Sequence, residues 1–286
     1  MLASRPKTLP AAAAPVIAGA FLAFWDHSFQ PLTAAAALVC ALLLQIGSNL
    51  ANDVFDFQRG ADAGGRLGPV RVTQTGLLTP REVKTAMGAV LTGAALCGLY
   101  LSWISSWWLL GIGLLAILAA VGYSGGPIPF GYHGLGDVFV FVFFGLVAVG
   151  GTYYLQAGTV TVAAVGTAAA MGGLITNILV VNNLRDLRTD RKAEKRTLAV
   201  VLGPEWTRVE YGLWVLAAYT IPVLLVQGGK LPVGSLAVGL AAPWSVRLMG
   251  QLRRWKGRKL NQTLAETGQF ALIYALLFGL GGSFFP

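Results

Sequence analysis

Long uncharged runs alternate with short charged segments along the whole chain. A helix that spans a bilayer needs about 20 apolar residues, with a range of about 17–25. The two longest runs are therefore expected to hold two helices each, with turns at Ser105-Ser106 and at Gln156–Thr159. The pattern predicts an all-α membrane protein of nine transmembrane helices. The uncharged runs are Thr8–Trp25, His27–Asn52, Thr85–Gly136, Val138–Leu184, Tyr211–Gly229, Leu231–Val246 and Thr267–Pro286.

The composition agrees with a membrane protein. Apolar residues make up 55% of the 286 residues, charged residues make up 12%, and the mean hydropathy is +0.66. A soluble domain carries about 25% charged residues, so water-soluble and disordered classes are excluded. The 37 glycines and eight tryptophans suit close helix packing and anchoring at the membrane interface. We expect one integral membrane domain over residues 1–286.

The positive charges indicate an orientation. The net charge of +9 and the pI of 9.8 are compatible with nucleic-acid binding, but the placement of the charges favours a membrane topology instead. With nine crossings, 20 of the 21 Lys and Arg residues fall on one side, and only Lys230 lies opposite. Positive residues concentrate on the cytoplasmic side of membrane proteins. The N-terminus is thus predicted inside and the C-terminus outside, with no nucleic-acid partner.

Two acidic clusters lie on the side predicted to be cytoplasmic, after the second and sixth helices. Like charges four residues apart on a helix repel each other, and proximity to the membrane adds a desolvation cost. A compensating positive group is therefore expected at each cluster. At helical spacing each cluster forms one stripe, with Asn49, Asn52, Asp53 and Asp56 in the first and Asn182, Asp186 and Asp190 in the second.

Either a divalent metal or neighbouring arginines could compensate these acids. Clusters of carboxylate and amide oxygens without His or Cys suit Mg²⁺ or Mn²⁺. The repetition of the same Asn/Asp stripe favours metal over two solvated helix ends of mixed charge. Two metal ions together with nearby cations would match a diphosphate ligand. Those cations are Arg59, Arg66, Arg71, Arg185, Arg188, Arg191, Lys192, Lys195 and Arg196.

Six segments, in order and at the right spacing, carry a family resemblance. The chain resembles the UbiA superfamily of intramembrane prenyltransferases, and within it the 1,4-dihydroxy-2-naphthoate polyprenyltransferases (MenA type) of menaquinone or phylloquinone synthesis. Two positions depart from the superfamily: Gly60 replaces a third carboxylate, so that Asp62 would have to serve, and Asp137 stands where Glu is frequent. The matching segments are Arg5–Pro10, Asn52–Asp62, Gly68–Gly76, Tyr123–Pro127 with Gly134–Asp137, Asn182–Asp190, and Lys195–Val200.

The resemblance implies a UbiA-like bundle around a central cavity that opens to the cytoplasm, in a bacterial cytoplasmic membrane. It implies transfer of a polyprenyl or phytyl group from its diphosphate to 1,4-dihydroxy-2-naphthoate, with loss of CO₂ and with two Mg²⁺, or Mn²⁺, as cofactor. The implied metal ligands are Asn52, Asp56, Asp186 and Asp190, with Asp53 and Asp62 as ligands or their supports.

The resemblance also implies roles for cationic and aromatic residues. Diphosphate contacts are expected from Arg71, Lys195, Arg196 and Arg185, and Arg66 is expected to orient the acceptor carboxylate. Tyr123 is expected to stabilise an allylic cation, so that the implied catalytic set is Asp56, Asp186, Asp190 and Tyr123.

Other functions stay open at this point. Related prenyltransferases use 4-hydroxybenzoate, homogentisate, chlorophyllide or protohaem as acceptor, but the segments Gly68–Arg71 and Tyr123–Pro127 are similar to the naphthoate branch. A divalent-cation or organic-anion transporter would favour charges at mid-membrane and an inverted repeat. The acids of this chain cluster at one side instead. The length of the donor chain and the oligomeric state are not determined by the sequence.

Overall fold

The computed structural model describes residues 2–60 and 67–285, and all of the regular structure in these ranges is helical. Nine long helical segments follow one another in the described part, as the sequence predicts. They are α1 Pro10–Trp25, α2 Pro31–Gln58, α3 Pro80–Ile104, α4 Leu109–Gly122, α5 Gly136–Ala157, α6 Val162–Lys192, α7 Leu198–Gln227, α8, and α9 Leu260–Phe284. α8 begins as a 3₁₀ stretch, Val233–Ala241, and continues as an α-helix, Ala242–Arg254.

Seven of these helices are long and apolar enough to cross a membrane. The other two are α4, with 14 residues, and α8, which combines two helix types. Both predicted turns are confirmed: α3 ends before Ser105, and α5 ends at Ala157, after which Gly158 adopts the left-handed conformation.

Local sequence signals set several helix starts. Pro occupies the first position of α1, α2 and α3, where its missing N–H costs nothing. At α3, Thr79 Oγ1 accepts a hydrogen bond from the Glu82 N–H at 3.3 Å, and the Thr79 N–H donates to Glu82 Oε2 at 2.7 Å. This reciprocal capping box satisfies two backbone donors of the helix.

The bundle packs around α6, which contacts α1, α5, α7 and α9. Small residues allow this close approach. A Cβ added at Gly145 of α5 would lie 2.7 Å from the Cα of Gly172 in α6, so the two backbones touch there. Packing of small residues is the usual way in which membrane helices approach each other.

The helices α2 and α6 continue beyond the uncharged runs that predict them. They end at Gln58 and Lys192, so both acidic clusters lie within the last turns of helices rather than in loops. Contacts between connecting segments place both ends at one face of the bundle, which we call the polar face. There, next to the end of α2, Arg59 Nε donates to the Ser124 carbonyl at 3.2 Å, and, just after α6, the Arg196 N–H donates to the Tyr132 carbonyl at 3.0 Å in the same connecting segment.

Candidate active site

A cavity of about 580 Å³ opens among α1–α6 and connects the polar face with the bundle interior. Its polar end carries side chains of both acidic clusters: Asn52, Asp56, Asn182, Asp186 and Asp190. Its depth is lined mostly by apolar residues, such as Val16, Ala37, Leu101, Ile112, Phe144 and Val147. The cavity thus combines a charged mouth with an apolar interior.

One wall of the apolar part is irregular. Residues Phe141–Gly150 of α5 are wound as a π-helix, and Phe143, Phe144 and Val147 from this stretch line the cavity. π-helical turns inside α-helices are frequent at functional sites. The wide turns therefore coincide with the part of α5 that faces the cavity.

At the first cluster, residues from two connecting segments hold Asp56. Arg71 Nη2 forms a salt bridge with Asp56 Oδ2 at 2.5 Å, and Arg71 Nη1 donates to the Asn52 carbonyl. Tyr132 donates its phenolic hydrogen to Asp56 Oδ1 at 2.8 Å. Ser124 Oγ donates to Asn52 Oδ1 at 2.8 Å. Distant parts of the chain therefore fix the orientation of this cluster.

Asp53 lies outside the cavity lining, unlike Asn52 and Asp56. It is 1% exposed, and its carboxylate accepts hydrogen bonds from the backbone N–H groups of Val72 and Thr73 at 3.2 and 3.1 Å. Neighbouring helix positions differ by about 100°, so Asp53 and Asn52 project in different directions. Asp53 instead anchors the segment that carries Arg71.

At the second cluster, the buried guanidinium of Arg185 donates hydrogen bonds to three neighbouring side chains. Its Nε donates to Asp186 Oδ1 at 2.9 Å, its Nη2 donates to Asn182 Oδ1 at 2.8 Å, and its Nη1 donates to Asn261 Oδ1 at 2.8 Å. Arg185 is 3% exposed and lies outside the cavity lining. The geometry therefore supports a positioning role for Arg185 in place of the expected diphosphate contact.

The third acid of the mouth, Asp190, is only partly neutralised. Lys195 Nζ lies 4.0 Å from Asp190 Oδ1, while Asp190 Oδ2 is buried without a hydrogen-bond partner. Lys192 and Lys195 line the cavity. Arg196, which the sequence favours for diphosphate contact, is exposed and outside the lining, and its backbone N–H donates to the Tyr132 carbonyl at 3.0 Å.

Two tyrosines enclose the mouth. Tyr123 lines the cavity and packs closely on Gly131, where an added Cβ would lie 2.7 Å from Tyr123 Cε1. Burial, then the charge of Asp56, raises the pKa of Tyr132 above its ordinary value. Burial, then the charge of Asp137, likewise raises the pKa of Tyr123. Both phenols therefore stay protonated, and that of Tyr132 donates its hydrogen bond to Asp56.

The family is shown by comparison with known proteins. Residues 12–280 match the UbiA prenyltransferase family. The chain belongs to this family. A Mycobacterium tuberculosis protein named 1,4-dihydroxy-2-naphthoate octaprenyltransferase is 44% identical over 275 residues, which are 96% of this chain and 92% of the relative. An Escherichia coli protein of the same name is 39% identical, over 97% and 92% of the two chains.

A solved structure has the same fold. A UbiA homologue from Archaeoglobus fulgidus, bound to DMAPP and Mg²⁺, superposes with a TM-score of 0.68. The two chains are 16% identical, and the match covers 98% of this chain and 97% of the homologue.

The chemistry of the mouth of this UbiA-family protein fits a hard divalent cation. The donors are carboxylate and amide oxygens, which Mg²⁺ prefers, and Asp190 Oδ2 is a buried acceptor without a partner. Within residues 2–60 and 67–285, no three His, Cys, Asp or Glu side chains form a closed metal cage by themselves. Mg²⁺ is usually bound by one or two carboxylates together with substrate phosphates, so an open donor set of this kind is expected.

Some site residues were missed from the sequence, and two predicted ones lie outside the described residues. Asp62 and Arg66 fall in the range 61–66, which the structure does not describe. Tyr132 was missed because no periodicity relates it to Asp56, 76 positions earlier. Asn261 was missed for the same reason, since it is 76 positions from Arg185.

Proposed function

We propose that this protein transfers a polyprenyl or phytyl group from its diphosphate to 1,4-dihydroxy-2-naphthoate, with release of CO₂. The observation that carries the proposal is the meeting of two Asn/Asp clusters at the mouth of one cavity whose depth is apolar. The names of relatives that are 39–44% identical over nearly the whole chain support the naphthoate as acceptor.

The mouth can bind a diphosphate only when cations lie between its carboxylates and the phosphate groups. Asp56 and Asp190 each lie two residues before the end of their helix, where the helix dipole adds partial negative charge. Carboxylates and helix C-termini together repel an anion. We propose that Asn52, Asp56, Asp186 and Asp190 hold two Mg²⁺, for which Mn²⁺ can substitute, and Mg²⁺ is bound in the Archaeoglobus homologue. When bound, these ions offset the charge that develops on the departing diphosphate.

The protein's own cations complete the diphosphate site. Lys192 and Lys195 lie on the cavity wall at the end of α6 and just after it, so their ammonium groups are placed to donate to phosphate oxygens. Arg71 has its guanidinium on Asp56 and Asn52, and Arg185 has its guanidinium on Asp186 and Asn182. These two arginines keep the acids oriented while the substrate binds and leaves.

The apolar depth serves the prenyl chain. Ionisation of the C–O bond leaves an allylic cation that water would trap as an alcohol, so a dry pocket is required. The aromatic residues Tyr123 and Phe143 line the cavity, and a ring face stabilises a cation by roughly 0.5–2 kcal/mol.

The naphthoate ring carbon that bears the carboxylate then forms a bond to the allylic carbon. The electron pair of the breaking bond to the carboxylate restores aromaticity, and CO₂ leaves. We propose that the mouth of the cavity faces the cytoplasm of a bacterial membrane, because 20 of 21 basic residues are assigned to this side.

The function is tested with membranes that contain the expressed chain. They receive Mg²⁺, radiolabelled geranylgeranyl diphosphate, and either 1,4-dihydroxy-2-naphthoate or 4-hydroxybenzoate. The expected result is a labelled lipid-soluble product with the naphthoate alone, lost on addition of EDTA. Product with the benzoate alone would contradict the acceptor. No product with either acceptor, across several donor lengths, would contradict prenyl transfer and favour a transporter.

A further inference from the structure

A second cavity lies at the polar face, apart from the proposed active site. It has a volume of about 950 Å³ and is enclosed by the segment before α1, the segment between α8 and α9, and the first turns of α9. It shares no lining residue with the first cavity. The residues that give it its character are Lys7, Trp255, Arg258, Lys259, Asn261 and Glu266.

The cavity is strongly basic. Lys7, Arg258 and Lys259 line it and are exposed, and in residues 2–60 and 67–285 none of them forms a salt bridge. The acid on its wall, Glu266, is already neutralised. Its carboxylate lies 3.5 Å from Arg247 Nη2 and accepts hydrogen bonds from the Gln262 and Gln251 amides at 2.7 and 3.0 Å. Three uncompensated cations therefore face one concave surface.

The cavity lies at the level of the helix ends. Lys7 is three residues before α1, Lys259 directly precedes α9, and Trp255 directly follows α8. In a membrane protein, helix ends and interfacial tryptophans lie at the lipid headgroups. Lys and Arg side chains at this level interact with anionic headgroups. A ligand of this cavity thus meets both a phosphate-binding cluster and an aromatic ring that suits the boundary with the acyl chains.

We propose that this cavity is a binding site for the headgroup of an anionic phospholipid. Lys7, Arg258 and Lys259 take the phosphate, and Trp255 packs against the lipid's glycerol region. A free phosphate ion has the same charge as the headgroup phosphate, but its binding requires neither Trp255 nor a position at the helix ends. These two features favour a lipid as the ligand.

The site also adjoins the proposed active site through one residue. Asn261 lines the basic cavity, accepts a hydrogen bond from Arg185, and donates one to the Leu67 carbonyl. A ligand that binds only the folded state of a protein stabilises that state. Lipid in the cavity is expected to raise the thermal stability of the protein for this reason.

The test compares two triple variants in neutral detergent by native mass spectrometry, with equimolar phosphatidylglycerol and phosphatidylcholine. The first variant is K7Q/R258Q/K259Q. The matched control is R253Q/R254Q/K256Q, which removes the same charge from the segment between α8 and α9 and from the end of α8 but touches no residue of the cavity lining. We expect the wild type and the control to retain phosphatidylglycerol selectively. The cavity variant is expected to lose roughly 100-fold in affinity.

Several outcomes would overturn the proposal. Equal losses in both triple variants would mean general surface charge, and equal retention of both lipids would mean no headgroup site. Displacement of phosphatidylglycerol by millimolar inorganic phosphate would mean a soluble-anion site. If the triple variant does not fold, Lys259→Gln alone is used, and about a fivefold loss is expected. Thermal unfolding without added lipid checks that each variant has the wild-type fold.

Discussion

The two Asn/Asp clusters look alike in the sequence but are supported in different ways. In the first cluster, Asp56 is held by Arg71 and Tyr132, which come from two connecting segments 15 and 76 positions away. In the second, Asp186 is held by Arg185 from the same helix, and a residue of α9, Asn261, braces that arginine. The first cluster therefore depends on the fold of the loops, whereas the second is largely built into α6.

The acids of the two clusters also differ in position: some line the cavity, whereas Asp53 supports the segment beside it. Asp56, Asp186 and Asp190 line the mouth, while Asp53 uses its carboxylate to fix residues 72 and 73. Substitutions at these positions should thus have different kinds of effect. The cavity acids should affect turnover and metal dependence, and the supporting acid should affect stability.

The largest effect is expected from removing a cavity acid. Asp56→Ala and Asp186→Ala should each lower turnover by at least about 100-fold, because the leaving diphosphate loses electrostatic stabilisation. Initial rates at saturating Mg²⁺ measure the loss, and yield and elution of the purified protein serve as control. Near-wild-type turnover in either variant would remove that acid from the proposed metal site.

The next largest effects are expected from substituting Arg71 and Arg185, the arginines paired with the acids, and the two effects should differ in size. Arg71→Gln leaves the buried Asp56 carboxylate without its ion-pair partner, which typically costs about 3–5 kcal/mol of folding free energy. Arg185→Gln likewise leaves the Asp186 carboxylate without its ion-pair partner, but the side chain of Asp186 is 20% exposed and that of Asp56 is 7% exposed. We expect a larger drop in the unfolding temperature for Arg71→Gln, together with roughly tenfold to 100-fold slower turnover in both variants. A larger thermal loss in Arg185→Gln would reverse the comparison.

A smaller effect is expected at Tyr132. Tyr132→Phe removes one hydrogen bond to Asp56 and should slow turnover about tenfold, since a hydrogen bond to a charged group contributes about 1.5–3 kcal/mol. The pKa of Tyr132 is raised above its ordinary value by burial and by Asp56, so the phenol stays protonated. The ratio of wild-type to variant rates should therefore be constant from about pH 6 to 9. A ratio that falls towards alkaline pH would contradict this assignment.

The smallest effect on catalysis is expected at Asp53. Asp53→Asn keeps one acceptor oxygen but loses the charge that binds two backbone N–H groups, so the free energy of unfolding should fall by about 1–3 kcal/mol. The Mg²⁺ concentration for half-maximal rate should stay unchanged, whereas it should rise in Asp56→Asn. Mg²⁺ titrations of both variants measure the contrast. A raised Mg²⁺ requirement in Asp53→Asn would restore it as a ligand.

The sequence predicted the helices well because their signals are local. Uncharged runs predicted nine helices and both internal turns. Helical spacing grouped Asn52 with Asp56 and Asp186 with Asp190 on single stripes, and these four residues line the cavity. Local spacing could not distinguish Asp53 from Asp56, because the partner of each comes from a connecting segment whose path is not periodic. It also could not show that Arg185 is buried against Asn261, since that contact depends on how α9 packs on α6.

We propose that both clusters serve one diphosphate through divalent cations. Mn²⁺ binding, followed by electron paramagnetic resonance with and without an unreactive prenyl thiodiphosphate, tests it most directly. We expect weak Mn²⁺ binding by the protein alone, much tighter binding with the analogue, and loss of that gain in both Asp56→Asn and Asp190→Asn. Equal Mn²⁺ affinity with and without the analogue, or a gain that survives either substitution, would contradict a metal site shared by the two clusters.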